Sequence, residues 1–252
     1  STSSSTGVWD LRTHSKELVA EAWQIVIIPR GLFFGGTDSN VIDFITITST
    51  GNATDFGDVL GPTDVVTNGR MCGSGSSTRG LMNSGDSDTS VDGNFQDNLQ
   101  FVTIASAGNG SNFGDLTQAR LLTAAAGNST RCCFMGGYTS SGVNTIDFAT
   151  ISTLGNASDF GNLTNTSTFL NAGAGSGSSR GMRFGGSSTT NNNTVTNTVD
   201  YITISSAGDA TDFGNLSDSN GIHAFAGAAA NSTRALSMGG KNYFGTTVNV
   251  VD

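Results

Sequence analysis

Charge is scarce in this 252-residue chain: Asp, Glu, Lys and Arg make up 12% of it, about half of the ~25% usual in soluble domains. Lysine, glutamate, histidine and proline occur twice each. Eleven basic groups against 20 acidic ones leave a formal charge of −9, which opposes binding to a phosphate backbone. The expected surface is therefore neutral and polar, made of Ser, Thr, Asn and Gly, with no nucleic-acid partner. Three cysteines, Cys72 and the adjacent Cys132 and Cys133, are odd in number and lack C-x-x-C spacing. They suit neither a disulfide framework nor a zinc site and read as small buried hydrophobes. Apolar runs are short, the longest being the four residues Ile25 to Ile28, closed by Pro29. A membrane span needs ~18, so a soluble chain without membrane insertion is expected. From Ser1 onward no charged region leads into an apolar stretch, so no secretory leader is read there.

Glycine is the surplus. It accounts for 35 residues, yet Gly and Pro together reach only 37 of 252, below the ~25–30% of low-complexity chains. With 36% hydrophobic residues available for a core, the glycines belong to an ordered fold, and a search for periodicity shows how. The phrase Arg-x-x-x-(Phe/Met)-Gly-Gly runs from Arg30 to Gly36, Arg131 to Gly137, Arg180 to Gly186 and Arg234 to Gly240, with a degenerate copy at Arg79. The five arginines are spaced by 49, 52, 49 and 54 residues.

Each unit continues with an alternating β-branched and aromatic phrase: Ile42 to Ile47, Leu99 to Ile104, Ile146 to Ile151 and Val199 to Ile204. Such alternation reads as a two-faced strand. A turn and a third phrase follow at Gly51 to Gly57, Gly108 to Gly114, Gly155 to Gly161 and Gly208 to Gly214. In these, Gly-Asn or Gly-Asp supplies the turn and Phe56, Phe113, Phe160 or Phe213 supplies a buried anchor. A fourth, Ala- and Gly-rich segment, such as Leu121 to Gly127 or Ala224 to Ala230, leads to the next arginine. Small side chains there allow close backbone packing.

Four short strands in about fifty residues cannot bury both faces of their sheet alone and must stack on neighbours, as propeller blades do. The Gly-Gly after an apolar strand, the Ile-Asp-Phe strand, the later aromatic and the arginine before the next unit resemble a kelch-type blade. The departure is that Phe, Tyr or Ile, and the Phe of Asp-Phe-Gly, stand where kelch repeats carry Tyr and Trp. The fold expected is all-β: a single kelch-like β-propeller over residues 1–252, with five four-stranded blades and one short N-terminal helix. Its repeats span 30–78, 79–130, 131–179 and 180–233, with a closing segment at 1–29 and a half repeat at 234–252. The two ends complete one blade, because Val8-Trp9-Asp10-Leu11 resembles Phe113-Gly114-Asp115-Leu116 and Gln24 to Ile28 precedes Arg30 as a fourth segment would. A cut from a longer array is the alternative. Between these pieces, Leu11 to Trp23 holds both glutamates and Lys16 in the one helical pattern of the chain.

Chemistry is poorly supplied. His14 and His223 are the histidines, and no G-x-S-x-G elbow supports a nucleophilic serine. Gly73 to Ser76 and Gly173 to Gly177 lack the lysine and the strand-to-helix setting of phosphate loops. Asn52, Asp55, Asp58, Asn156 and Asp159 offer oxygen atoms that could ligate Ca²⁺, but they match no calcium loop and read as Asx turns serving local backbone donors. No catalytic residue, metal or cofactor is assigned. Arg30, Arg79, Arg131, Arg180 and Arg234 are expected to be structural, joined with Asp43, Asp147, Asp200 and Asp252 in a circle of charge-assisted bonds that Gln100 interrupts.

Insertion is concentrated in one loop class. Between the Gly-Gly position and the next Asp-bearing strand lie 5, 13, 8, 12 and 10 residues in successive units. Equivalent loops of a propeller emerge on one face. Asp86, Asp88, Asn94, Tyr138, Asn191, Asn192, Asn193, Lys241, Asn242, Tyr243 and Phe244 lie there and are the ligand-contact candidates, suited to sugar hydroxyls or protein surfaces. Asn-x-Ser/Thr triplets are frequent by composition alone.

Taken together, Gly-Asn-Ala-Thr-Asp-Phe-Gly, Thr-Ile-Asp-Phe-x-Thr-Ile, Ser-Thr-Arg-Gly and Gly-Val-Trp-Asp-Leu resemble repeat modules of tailed-bacteriophage virion proteins, especially tail fibres and related appendages. This resemblance covers nearly the whole chain. It implies a non-enzymatic structural and adhesive protein, located on the virion or extracellularly. Its partners would be other virion proteins or copies of itself, with host surface glycan or protein as the attachment target. A cellular lectin or protein-interaction propeller is the alternative.

Overall fold

The computed structural model describes residues 29–36, 39–61, 71–83, 95–167, 174–176, 179–187, 196–217, 227–240 and 251–252. Among these, every regular element is a β-strand, and the strands form five small antiparallel sheets in chain order. The helical pattern at Leu11 to Trp23 lies outside the described residues.

The first unit holds β1 (Arg30–Gly36), β2 (Ser39–Thr46) and β3 (Thr54–Asp58). The second holds β4 (Gly73–Gly75), β5 (Arg79–Asn83), β6 (Asn98–Thr103) and β7 (Ser111–Asp115). The third holds β8 (Ala124–Gly127), β9 (Arg131–Tyr138), β10 (Gly142–Thr150) and β11 (Ser158–Ser167). The fourth holds β12 (Ala174–Ser176), β13 (Arg180–Phe184), β14 (Thr198–Thr203) and β15 (Thr211–Asn215). The fifth holds β16 (Gly227–Ala230) and β17 (Ala235–Met238). Val251 bridges Met238, and Ser237 and Asp252 exchange backbone hydrogen bonds of 2.9 and 3.0 Å, so the last two residues lie alongside β17. Strands neighbouring in sequence are neighbours in each sheet.

The sheets begin one strand earlier than the arginine-based repeats. Ala124–Gly127 pairs with the strand that starts at Arg131, because Asn128-Ser129-Thr130 closes a tight hairpin between them. Asn128 Oδ1 accepts from the backbone N–H of Thr130 and of Arg131, both at 2.9 Å, which fixes that turn. Asn231 does the same for Thr233 and Arg234 at 2.8 Å.

In four units the pairing of the last two strands slips by one residue at the same place. Ile42 faces Gly57 but Asp43 faces Asp55, which leaves Phe56 as the unpaired residue of a β-bulge. Phe113, Phe160 and Phe213 are skipped in the same way. The Asp-Phe-Gly phrase thus encodes a bulge, with glycines of φ between +139° and +151° after each Phe.

Three of the four hydrophobic clusters lie between units; the other, Met182, Phe184, Val199 and Leu216, lies within the fourth, with Ala228 and Ala235 of the fifth packed against it. Leu81, Leu99, Phe113 and Leu116 of the second unit meet Cys132, Phe134, Ala149 and Ile151 of the third. Met135, Ile146, Phe160 and Leu163 of the third meet Ile202 and Ile204 of the fourth. Ile42, Phe56 and Val59 of the first meet Met82 and Val102 of the second. The Ala-rich first strands let the units approach: β8 lies against both β4 and β12. A Cβ added at Gly181 would stand 3.0 Å from that of Ala126.

Candidate functional site

Each of the three junctions that join the first four units is built from the same three contacts, and together they orient those units. At one edge, Arg30 donates from Nη1 to the Ile104 carbonyl at 2.6 Å, Arg79 to Ile151 at 2.9 Å and Arg131 to Ile204 at 3.1 Å. The same guanidinium lies over an aromatic ring of its own unit, 4.5 Å from Phe44, 4.8 Å from Phe101 and 4.5 Å from Phe148. That ring meets the bulge phenylalanine edge-on, as in Phe44–Phe56 at 5.9 Å and 79°.

The Gly-Asx turn makes the second contact. Gly108 and Gly110 donate to the Phe56 and Asp58 carbonyls of the preceding unit, both at 2.7 Å, while Asn109 Oδ1 accepts from the Asp58 N–H at 3.1 Å. Gly155, Asn156 and Ala157 bind Phe113 and Asp115 alike, and Gly208, Asp209 and Ala210 bind Phe160 and Asn162. Asn156, expected to serve its local backbone, therefore serves a neighbouring unit, as Asn109 and Asp209 do. Asp55 and Asp212, which accept from Gly57 and Gly214 at 3.1 and 3.0 Å, do make local turns.

The third contact is at the opposite edge. Gln100 spans back to Leu60, accepting from its N–H and donating to its carbonyl, both at 2.6 Å. Asp147 accepts from Thr117 N–H and hydroxyl at 3.0 and 2.6 Å. Asp200 accepts from the Thr164 hydroxyl at 2.7 Å and Asp252 from the Ser217 N–H at 3.2 Å.

The expected circle of repeat arginines and strand aspartates is thereby corrected. The two residue types sit at opposite ends of the strands, and the aspartates bind the preceding unit. The arginines that do pair with them, Arg120 with Asp147 at 3.0 Å and Arg183 with Asp200, lie outside the repeat register. All four side chains are buried. Burial lowers the pKa of both guanidiniums, an effect their aspartates oppose. Nothing in the repeat phrases points to either arginine; their being off register was the available signal.

The phenylalanine anchors Phe56, Phe113 and Phe160 are 2, 3 and 3% exposed, whereas Phe213 is 59% exposed. The expectation of four buried anchors thus fails at the fourth, because no described Gly-Asx turn covers it. Arg180 stacks on Tyr201 at 4.3 Å but reaches no carbonyl of a following unit among the described residues. Arg180 and Phe213 line a cleft of about 430 Å³ with Met182, Asn231 and Arg234.

The length-variable segments leave the sheets at the edge marked by Gln100, Asp147 and Asp200. Tyr138 ends β9 there, half-buried, with its ring edge-on to Phe95 at 5.9 Å and 72°. Its backbone exchanges bonds of 2.8 and 3.1 Å with Leu121. Asp86, Asp88, Asn94, Asn191, Asn192, Asn193, Lys241, Asn242, Tyr243 and Phe244 lie outside the described residues, as does His223.

Among the described residues no three of His, Cys, Asp and Glu gather as a metal set. No helix among them is long and apolar enough to cross a membrane. Burial pushes the Cys72 and Cys133 thiols up to about 12 and Cys132 well above its ordinary value. All three cysteines are free. No family model matches the chain, and no curated protein matches it.

Proposed function

We propose that the chain is a non-enzymatic, kelch-like β-propeller of five blades that serves as a structural and adhesive module of a phage particle, such as a tail fibre or appendage. Its virion or extracellular setting brings it against other virion proteins or further copies. The length-variable segments are its contact surface for host glycan or protein. One observation carries this reading. At the three junctions that join the first four units, the arginine contacts mark one edge and the Gln100, Asp147 and Asp200 contacts the other. Neighbouring units therefore stack with their variable segments on a common side, where short insertions combine into one surface. A weakly charged surface rich in amides and hydroxyls suits sugar hydroxyls, and Tyr138 brings an aromatic face to the same edge.

The test is attachment of the purified chain to an array of bacterial surface polysaccharides and to host envelope fractions. Retained binding that falls at least tenfold on Tyr138→Ala or on replacement of Asn191, Asn192 and Asn193 by Ala supports the reading. Binding to none of these surfaces, or binding indifferent to those substitutions, contradicts it.

A further inference from the structure

Two departures of the second unit from its neighbours prove to be one change. Gln100 stands where the other units carry Asp43, Asp147 and Asp200, and its turn ends on Gly110 where theirs end on Ala53, Ala157 and Ala210. A Cβ added at Gly110 would lie 2.7 Å from Gln100 Oε1. That oxygen cannot turn aside freely, because the side chain is buried and is tied to both backbone groups of Leu60 at 2.6 Å. Aspartate is one carbon shorter and leaves room for the alanine methyl. The glutamine therefore requires the glycine.

Asn109 precedes that glycine, and an Asn-Gly pair carries a reaction of its own. With no Cβ in the way, the glycine nitrogen can reach the side-chain carbonyl carbon of the asparagine. The nitrogen gives up its proton and bonds to that carbon, the bond to the side-chain nitrogen breaks, and ammonia leaves with the proton. Water then opens the cyclic imide at either carbonyl. The product is aspartate, or isoaspartate with one more carbon in the backbone.

The fold holds both reacting groups. Gly110 is buried and its N–H donates to the Asp58 carbonyl at 2.7 Å, while Asn109 Oδ1 accepts from the Asp58 N–H at 3.1 Å. Attack requires the first of these bonds to open, and with it the junction between the first and second units. Asn109 itself is exposed, so water has access to the imide.

The product suits that place poorly. At each of the three junctions, the residue whose N–H is bound and the Asx residue that binds it comprise one carboxylate and one amide. The pairs are Asp58 with Asn109, Asp115 with Asn156, and Asn162 with Asp209. In the last of them Asn162 Nδ2 also donates to Asp209 at 3.3 Å. Conversion of Asn109 would set two carboxylates side by side, with no amide to donate between them. Isoaspartate would also displace the Gly110 N–H by one backbone carbon.

We propose that Asn109 is a spontaneous deamidation site, created by Gln100 through Gly110 and gated by opening of the junction between the first and second units, and that its conversion loosens that junction. Water is the one co-reactant.

The full chain is held at mildly alkaline pH, folded or in denaturant, and peptide mapping follows the amide-to-acid mass gain at Asn109 and at Asn156, which precedes alanine. In denaturant Asn109 is expected to convert about tenfold or more faster than Asn156, and in the fold about tenfold or more slower than in denaturant. Equal rates at Asn109 in the two states overturn the gate. Gln100→Asp with Gly110→Ala gives the second unit the residues of the third and should bring the denatured-state rate down to that of Asn156. Unchanged conversion there removes the Gly110 nitrogen from the reaction. For the product, Asn109→Asp is expected to lower Tm by about 2 °C or more, and Asp58→Asn alongside it to recover at least half of that loss. No loss, or a loss that Asp58→Asn leaves in place, rejects the loosening.

Discussion

At the scale of single residues, the repeat arginines earn their place twice, by a charge-assisted bond to a carbonyl of the next unit and by stacking on an aromatic ring. Arg131→Met should lose both and cost about 1–2 kcal/mol in chemical denaturation. Arg180→Met, which gives up the Tyr201 contact alone, should cost less than about 1 kcal/mol. Equal losses would show that the carbonyl bond contributes nothing.

The buried pairs behave differently. Removing Asp147 strands the Arg120 charge in a site with no exposure, so Asp147→Ala should cost about 3–5 kcal/mol. Arg120→Met combined with Asp147→Gln should recover most of it, because Gln100 already performs the same backbone contact without charge.

The cysteines give a pH dependence. Thiols of the unfolded chain ionise near 9.0, whereas Cys72 and Cys133 keep their protons in the fold to about 12. Above pH 9 the unfolded state therefore binds fewer protons than the folded one. Stability due to these groups is full below pH 9 and is lost as pH rises towards 12. Denaturation midpoints across that range should fall, less steeply in Cys72→Ala. Alkylation at pH 8 should be slow until the chain unfolds.

At the scale of elements, the sequence discloses the strands well and their partners poorly. Arg-x-x-x-(Phe/Met)-Gly-Gly and Ile-Asp-Phe-x-Thr-Ile each become a strand because alternation and β-branching are local properties. The bulge at Asp-Phe-Gly was visible only as an aromatic next to glycine, since a register slip needs the opposing strand to define it. Asn109 and Asp58 are 51 residues apart, so a reading confined to neighbours in sequence assigns the amide to its own turn. Arg120 and Arg183 carry no periodic signal at all, and their role follows from packing. Of the proposed contact surface, the sequence shows only segments of uneven length, while the edge at which their flanking strands end emerges from the junctions.

Gly114 tests the element scale. Its φ is +151°, and an added methyl would collide with the Gly155 backbone of the next unit. Gly114→Ala should therefore cost at least about 2 kcal/mol, beyond backbone strain alone. A loss below 1 kcal/mol would mean that the second and third units are not so closely joined.

At the scale of the molecule, stability is distributed over junctions, since three of the four hydrophobic clusters among the described residues bury side chains of two successive units. The fourth unit also holds a small cluster of its own, Met182, Phe184, Val199 and Leu216, and the array is expected to unfold with strong coupling between neighbours. The same stacking brings the described strand ends that flank the length-variable segments to one side. Its geometry is what an envelope of the particle in solution reads. A three-dimensional density map of the full chain at about 8 Å is the most direct measurement. The account predicts a squat ring of five blades around one axis, with the long connections on one face. A rod with the first and last units at opposite ends would contradict it.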